Sequence, residues 1–135
     1  YNKLDNNFFL TNCDTIINTD LTQVLRFHQK NKHDITVVAS LKKFNIPYGV
    51  CKLDINNKFT EINEKPNLNF LINSGFYVIN KKILKLIPKN KYDMTDLIKE
   101  AEIKNKSIGV YPINESSWID VGNWQEYKKA VKGLQ

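Results

Sequence analysis

Apolar residues recur along this chain in short blocks, and their spacing switches repeatedly between that of strands and that of helices. Phe8 to Cys13 is an apolar run ending at a carboxylate, which predicts a buried strand. Leu21, Val24, Leu25 and His28 fall at helical spacing behind Asp20, a residue suited to cap a helix. Ile35 to Leu41 is rich in β-branched residues and predicts a central strand. Val50 to Ile55, the polar pair Asn56-Asn57 and Phe59 to Asn63 together predict a hairpin. Phe70 to Ile79 predicts a strand interrupted at Ser74-Gly75, and Ile83 to Ile87 a short helix stopped by Pro88. Met94, Leu97, Ile98 and Ala101 mark an amphipathic helix with Asp93 as its cap. Ile108 to Ile113 then predicts a strand, Trp118 to Gly122 a strand end or turn, and Trp124, Tyr127, Val131 and Leu134 one face of a last helix.

Strands alternating with helices argue an α/β sheet covered on both faces, and the central hairpin is expected to make that sheet mixed. At 135 residues the chain is one domain or part of one, with no repeat and no low-complexity linker. Hydrophobic content of 41% and charged content of 25% are those of a folded globular protein. No apolar run approaches the length that crosses a bilayer. Cys13 and Cys51 make neither a disulfide framework nor a zinc spacing, so a reduced, cytoplasmic protein is the simplest reading. Cys13 itself reads as small buried filler.

The net charge of +6 raises the question of nucleic acid. Yet nearly all the basic residues are lysines scattered along the chain, Arg26 is the sole arginine, and aromatic residues are not interleaved as stacking platforms. The charge therefore reads as a solvated surface, with no nucleic-acid partner expected.

Asp14 follows an apolar strand, and ligands of open α/β sheets bind at the carboxyl ends of strands. Asp14 and Asp120 together would suit Mg²⁺, which takes one or two carboxylates plus substrate phosphates, if the fold brings them together. Either alone reads better as a turn or cap residue. Glu64-Lys65-Pro66 pairs a carboxylate able to accept from adjacent sugar hydroxyls with a compact cation for phosphate. Gly49 and Gly75 permit close backbone approach to a ligand, or equally a bulge or turn. Asn73 offers donor and acceptor to a polyol, while Tyr77 reads mainly as a core aromatic. Trp118 lies two residues before Asp120 and shares its face in an extended segment. His28, on an apolar helix face, reads as a satisfied core histidine, and His33 has no partner at metal spacing. No nucleophile motif, P-loop or dinucleotide fingerprint is present.

In order, Phe8-Phe9-Leu10-Thr11-Asn12-Cys13-Asp14, Tyr48-Gly49-Val50, Glu64-Lys65-Pro66, Asn73-Ser74-Gly75 and Trp118-Ile119-Asp120-Val121-Gly122 resemble the motifs of sugar-1-phosphate nucleotidyltransferases. The likeness is nearest to bacterial guanylyltransferase-like members related to mannose-1-phosphate guanylyltransferases. Cys13 departs from the glycine that this family often places before its first aspartate. The resemblance implies a Rossmann-like (GT-A-like) mixed β-sheet flanked by helices. It implies an NTP, with GTP the first candidate, and a sugar 1-phosphate as substrates, and an NDP-sugar and pyrophosphate as products. It further implies Mg²⁺ on Asp14 and Asp120, Lys65 on the sugar phosphate and Glu64 on sugar hydroxyls. Tyr48, Gly49, Asn73, Gly75 and Trp118 would line the sugar pocket. The family opens with a glycine-rich segment carrying an arginine and a lysine that holds the triphosphate, and none precedes Tyr1. Residues 1–135 are therefore expected to be a single, incomplete nucleotidyltransferase domain, inactive without the remainder of the catalytic domain N-terminal to it. Oligomeric state is left open. Two other classes compete: a non-catalytic relative that senses sugar phosphates or nucleotide sugars, and a metal-dependent glycosyltransferase. The second normally carries an Asp-x-Asp pair where this chain has Asp14-Thr15-Ile16.

Overall fold

A computed structural model describes residues 4–122 and 128. The elements run β1 (Asn7–Thr11), β2 (Thr15–Ile17), α1 (Leu21–Lys30), β3 (Ile35–Asn45), β4 (Val50–Leu53), β5 (Phe59–Asn63) and β6 (Asn67–Asn80). A 3₁₀ turn (Lys81–Leu86), α2 (Met94–Ile103), β7 (Ile108–Asn114), a second 3₁₀ turn (Glu115–Ser117) and β8 (Trp118–Asp120) follow. The expected last helix, with Trp124, Tyr127, Val131 and Leu134, lies outside the described residues.

The central sheet has the order β1-β6-β3-β7. β1, β6 and β3 pair antiparallel, while β7 lies parallel to β3. The sheet is thus mixed, as expected, but the hairpin is not the reason. β4 and β5 form a separate two-stranded sheet. All of β5 and most of β4 are exposed, so the apolar side chains of the pair, Leu53, Phe59 and Ile62 among them, are not packed onto the main sheet.

Side chains alternate across β3 and β6, and each face receives its own helical cover. On one side Ile35, Tyr77 and Ile79 pack with Ile83, Leu97 and Ala101 from the 3₁₀ turn and α2. On the other, Val38, Phe76, Val78 and Ile113 pack against Val24 of α1. Each such aliphatic side chain contributes about 1.5–3 kcal/mol when taken fully from water. His28 is buried among them, with Nδ1 at 2.8 Å from Thr36 Oγ1 and Nε2 at 3.2 Å from Asn7 Oδ1. Both ring nitrogens are occupied, as expected of a core histidine. Burial lowers the pKa of His28, the neighbouring His33 adds to this, and Asp34 opposes it.

Two further expectations are corrected. β1 is an edge strand among the described residues, so Phe9 and Leu10 remain partly exposed, and Cys13 beyond it is exposed rather than buried. Asp93 stands at the N-cap position of α2 but makes no side-chain cap bond. Asp20 does cap α1, accepting from the Thr22 and Gln23 amides at 2.9 and 3.3 Å. The bond from the Gln23 amide leads the effects that hold its carboxyl below the ordinary value.

Candidate functional site

The site begins at the carboxyl end of β1, where the chain turns from the central sheet into β2. That short strand pairs antiparallel with β8, setting Thr15 opposite Asp120. The Val121 amide donates to the Asp14 carbonyl at 2.9 Å, so the backbones carrying both aspartates are tied together. Their carboxylates converge on Gly122. A Cβ built there would sit 2.9 Å from Asp14 Oδ2 and 3.2 Å from Asp120 Oδ1. The Gly122 amide also donates to Asp120 Oδ1 at 3.0 Å. Two residues 106 positions apart in sequence thereby present oxygens to one small volume.

The sugar-motif residues of β6 lie beside them. Opposite β3 the register slips between Val38 and Ala39, leaving Ser74 and Gly75 as a bulge. Gly75 takes φ +76°, a left-handed conformation natural to glycine, and a Cβ there would meet Asn12 Nδ2 at 2.7 Å. Asn73 is held from two directions: its Oδ1 accepts from the Gly75 amide at 3.1 Å and its Nδ2 donates to Tyr77 Oη at 2.8 Å. Tyr77 is a core ring, as expected, and its hydroxyl also bonds at the site.

These parts border an open cleft of about 500 Å³. Asp14, Asn73, Gly75, Trp118 and Asp120, five of the residues singled out in the sequence, line it, and so does Tyr77. Trp118 is half-buried, Lys42 Nζ stands 4.9 Å from its ring centroid, and its indole N–H has no partner among the described residues. Sequence reasoning missed the opposite wall, formed by Tyr92, Asp93, Met94 and Thr95 at the start of α2. Asp93 carried a signal as a cap, but a cap position does not say that the side chain will face a cleft instead of its own helix. Loss of water contact, with Glu100 and Asp96 close by, raises the pKa of Tyr92 and keeps its hydroxyl protonated.

Tyr48, Gly49, Glu64 and Lys65 form a second group at the base of the β4–β5 hairpin and are not among the residues lining the cleft. The Lys65 amide donates to the Tyr48 carbonyl at 3.2 Å, and a Cβ on Gly49 would sit 2.8 Å from Glu64 Oε2. Lys65 has φ +45°, unusual for any side-chain-bearing residue and more so before a proline. The structure thus joins Tyr48-Gly49 to Glu64-Lys65, and Asp14 to Asp120, as two separate neighbourhoods.

Among the described residues no three His, Cys, Asp or Glu side chains gather as a metal-binding set. Two converging carboxylates still fit Mg²⁺, because that ion draws its remaining oxygens from water and substrate phosphates. They do not fit zinc, which in structural sites takes four nitrogen or sulfur ligands. Among the described residues no helix is long and apolar enough to cross a membrane.

Comparison with known proteins shows the family and the fold. The chain is 26% identical to a UTP--glucose-1-phosphate uridylyltransferase of Synechocystis sp. over 99% of its own length and 37% of the relative's. It is 33% identical to the bifunctional protein GlmU of Methanocaldococcus jannaschii over 97% of its length and 32% of the relative's. The chain thus spans about a third of these curated relatives. Its fold is that of HddC from Yersinia pseudotuberculosis, with a TM-score of 0.64 at 21% identity, covering 97% of this chain and 56% of that one. The family model described as nucleotidyl transferase matches residues 1–135, and the chain belongs to that family.

Proposed function

We propose that this chain is the sugar-binding and metal-binding part of an enzyme joining an NTP to a sugar 1-phosphate, releasing pyrophosphate. The observation that carries the proposal is the convergence of Asp14 and Asp120 in the cleft that also holds Asn73 and Gly75. One wall bears anionic oxygens suited to a hard cation, and the adjoining floor bears amide and backbone groups suited to a polyol.

In the proposed reaction a phosphate oxygen of the sugar 1-phosphate attacks the α-phosphorus of the NTP. The new P–O bond forms as the bond to pyrophosphate breaks, so phosphorus, oxygen and charge balance without a further reactant. The attacking oxygen is already anionic at neutral pH, and no protein base is required. The protein's task is to orient two anions that repel each other. Asp14 and Asp120 would hold Mg²⁺, which when bound supplies positive charge against the phosphates. Lys65 offers its ammonium to the sugar phosphate from the hairpin base, and Glu64 with Tyr48 and Gly49 receives sugar hydroxyls there. Asn73 and Gly75 form the floor beneath the sugar, and Trp118 its wall. Turnover also requires a triphosphate-binding segment beyond these 135 residues. Guanine is the base proposed, on the sequence resemblance alone, and a cytoplasmic location matches the substrates.

The test is pyrophosphate release by the full-length protein, with each NTP offered against a panel of sugar 1-phosphates, with and without Mg²⁺. Mg²⁺-dependent release with one pair establishes the reaction and names both substrates. Folded protein that releases none with any pair rejects it in favour of a sensor of sugar phosphates.

A further inference from the structure

The bulge in β6 does more than make room for a ligand. Ser74 turns inward, is 2% exposed, and its hydroxyl donates to the Val38 carbonyl at 2.7 Å. It thereby satisfies an acceptor at the point where the register breaks. The carbonyls of the two bulge residues are left pointing toward the segment that carries Asp14, and both are taken. The Thr15 hydroxyl donates to the Ser74 carbonyl at 3.0 Å, and the Asn12 amide donates to the Gly75 carbonyl at 2.9 Å. Asp14 is therefore bracketed, with a bond to the bulge on each side of it and the Val121 bond on its own carbonyl.

From this we infer that Thr15 and Ser74 are positioning residues: the bulge is a latch that sets the place of Asp14 relative to the sugar floor at Asn73. The inference rests on the function proposed above. Its physical basis is that the floor belongs to β6, which is paired along both edges, whereas residues 12–15 leave the main sheet. Without the latch, β2 would keep its pairing with β8 and the packing of Ile17 against the core at its far end, and the two aspartates could shift together relative to the floor. Such a shift leaves the sugar's contacts with the β6 floor intact, disturbs only the Trp118 wall carried on β8, and misplaces charge at the reacting phosphate, and small misplacements of that kind cost rate more than binding.

The experiment compares Thr15→Val, which keeps the shape and removes the hydroxyl, with Thr15→Ser, which keeps the hydroxyl. Both are made in the full-length protein, with Ser74→Ala as an independent break of the same latch. Thr15→Val is expected to lower kcat by about tenfold while KM for the sugar 1-phosphate stays within about twofold, and Thr15→Ser to restore most of the rate. Hydrogen exchange read by mass spectrometry should quicken across residues 12–15 in Thr15→Val and leave β3 and α1 unchanged. A kcat within about twofold of the parent, a loss that serine does not rescue, or exchange raised throughout the protein would each overturn the latch. If the parent itself releases no pyrophosphate, the proposed reaction fails and exchange alone judges the latch. Faster exchange confined to residues 12–15 upholds it, and unchanged exchange there overturns it.

Discussion

The cleft and the hairpin both carry residues expected to meet the sugar phosphate, yet they are built in opposite ways. In the cleft the segments that carry these residues are tied to partners distant in sequence. Asp14 is bonded to Val121, Asn12 to Gly75, Thr15 to Ser74, and β2 to β8. The hairpin is shaped by neighbours. The Asp54 side chain accepts from the Asn56 and Lys58 amides at 2.8 and 2.9 Å, and Asn57 takes φ +62° to close the turn. Its Lys52–Glu61 pair, at 2.8 Å, is exposed and contributes little. Under the proposed function the difference separates two tasks: holding charges at fixed separation needs a rigid frame, whereas reaching across to a substrate needs an arm that solvent surrounds.

The largest effect should come from breaking the frame's chemistry. Asp14→Asn or Asp120→Asn should reduce Mg²⁺-dependent pyrophosphate release by about 10²–10³-fold or more while the circular dichroism stays that of the parent. Undiminished turnover in either variant removes that residue from the metal set. On the arm, Lys65→Ala should weaken sugar 1-phosphate binding about tenfold or more, with NTP binding nearly untouched. Equal losses for both substrates would move the lysine off the sugar phosphate.

Gly75→Ala tests how far the frame depends on its bulge. It places a methyl group against Asn12 at φ +76°, and should lower unfolding stability by about 1–3 kcal/mol, measured by urea titration. An unchanged midpoint would mean the bulge accommodates a side chain. The smallest effect concerns the far end of the sheet. The His28 pKa is lowered in the folded state, so folding favours the neutral ring. Its contribution to stability is complete above the ordinary histidine value of 6.5 and is lost as pH falls through the lowered folded value. The parent's melting temperature should fall on acidification below that point more steeply than that of His28→Gln. Parallel profiles would show that another group governs the acid response.

Much of this was legible along the chain. The helix behind Asp20, the β-branched run of β3, the Asn56-Asn57 turn and the break at Ser74-Gly75 are all local signals, each a matter of spacing or of backbone preference. The expected burial of β1 and Cys13 was not borne out, because an apolar run does not reveal whether a strand is paired on one edge or two. Asp93 misled for a related reason. A cap position constrains the backbone, while the choice between helix and cleft belongs to whatever packs nearby.

The chain's own residue order determined the kinds of element, the two aspartates, the glycine-bearing break and the family to which they belong, since these follow from side-chain chemistry and short-range geometry. Only the tertiary structure decided that Asp14 and Asp120 share one volume at Gly122, that α2 supplies the second wall, and that Glu64 and Lys65 stand on a separate arm. Those outcomes depend on strand pairing between segments about a hundred residues apart, here β2 with β8, and on how a register slip in β6 redirects two carbonyls. No window of local sequence contains that information, because the free energy that selects it comes from surfaces meeting only after the chain has folded.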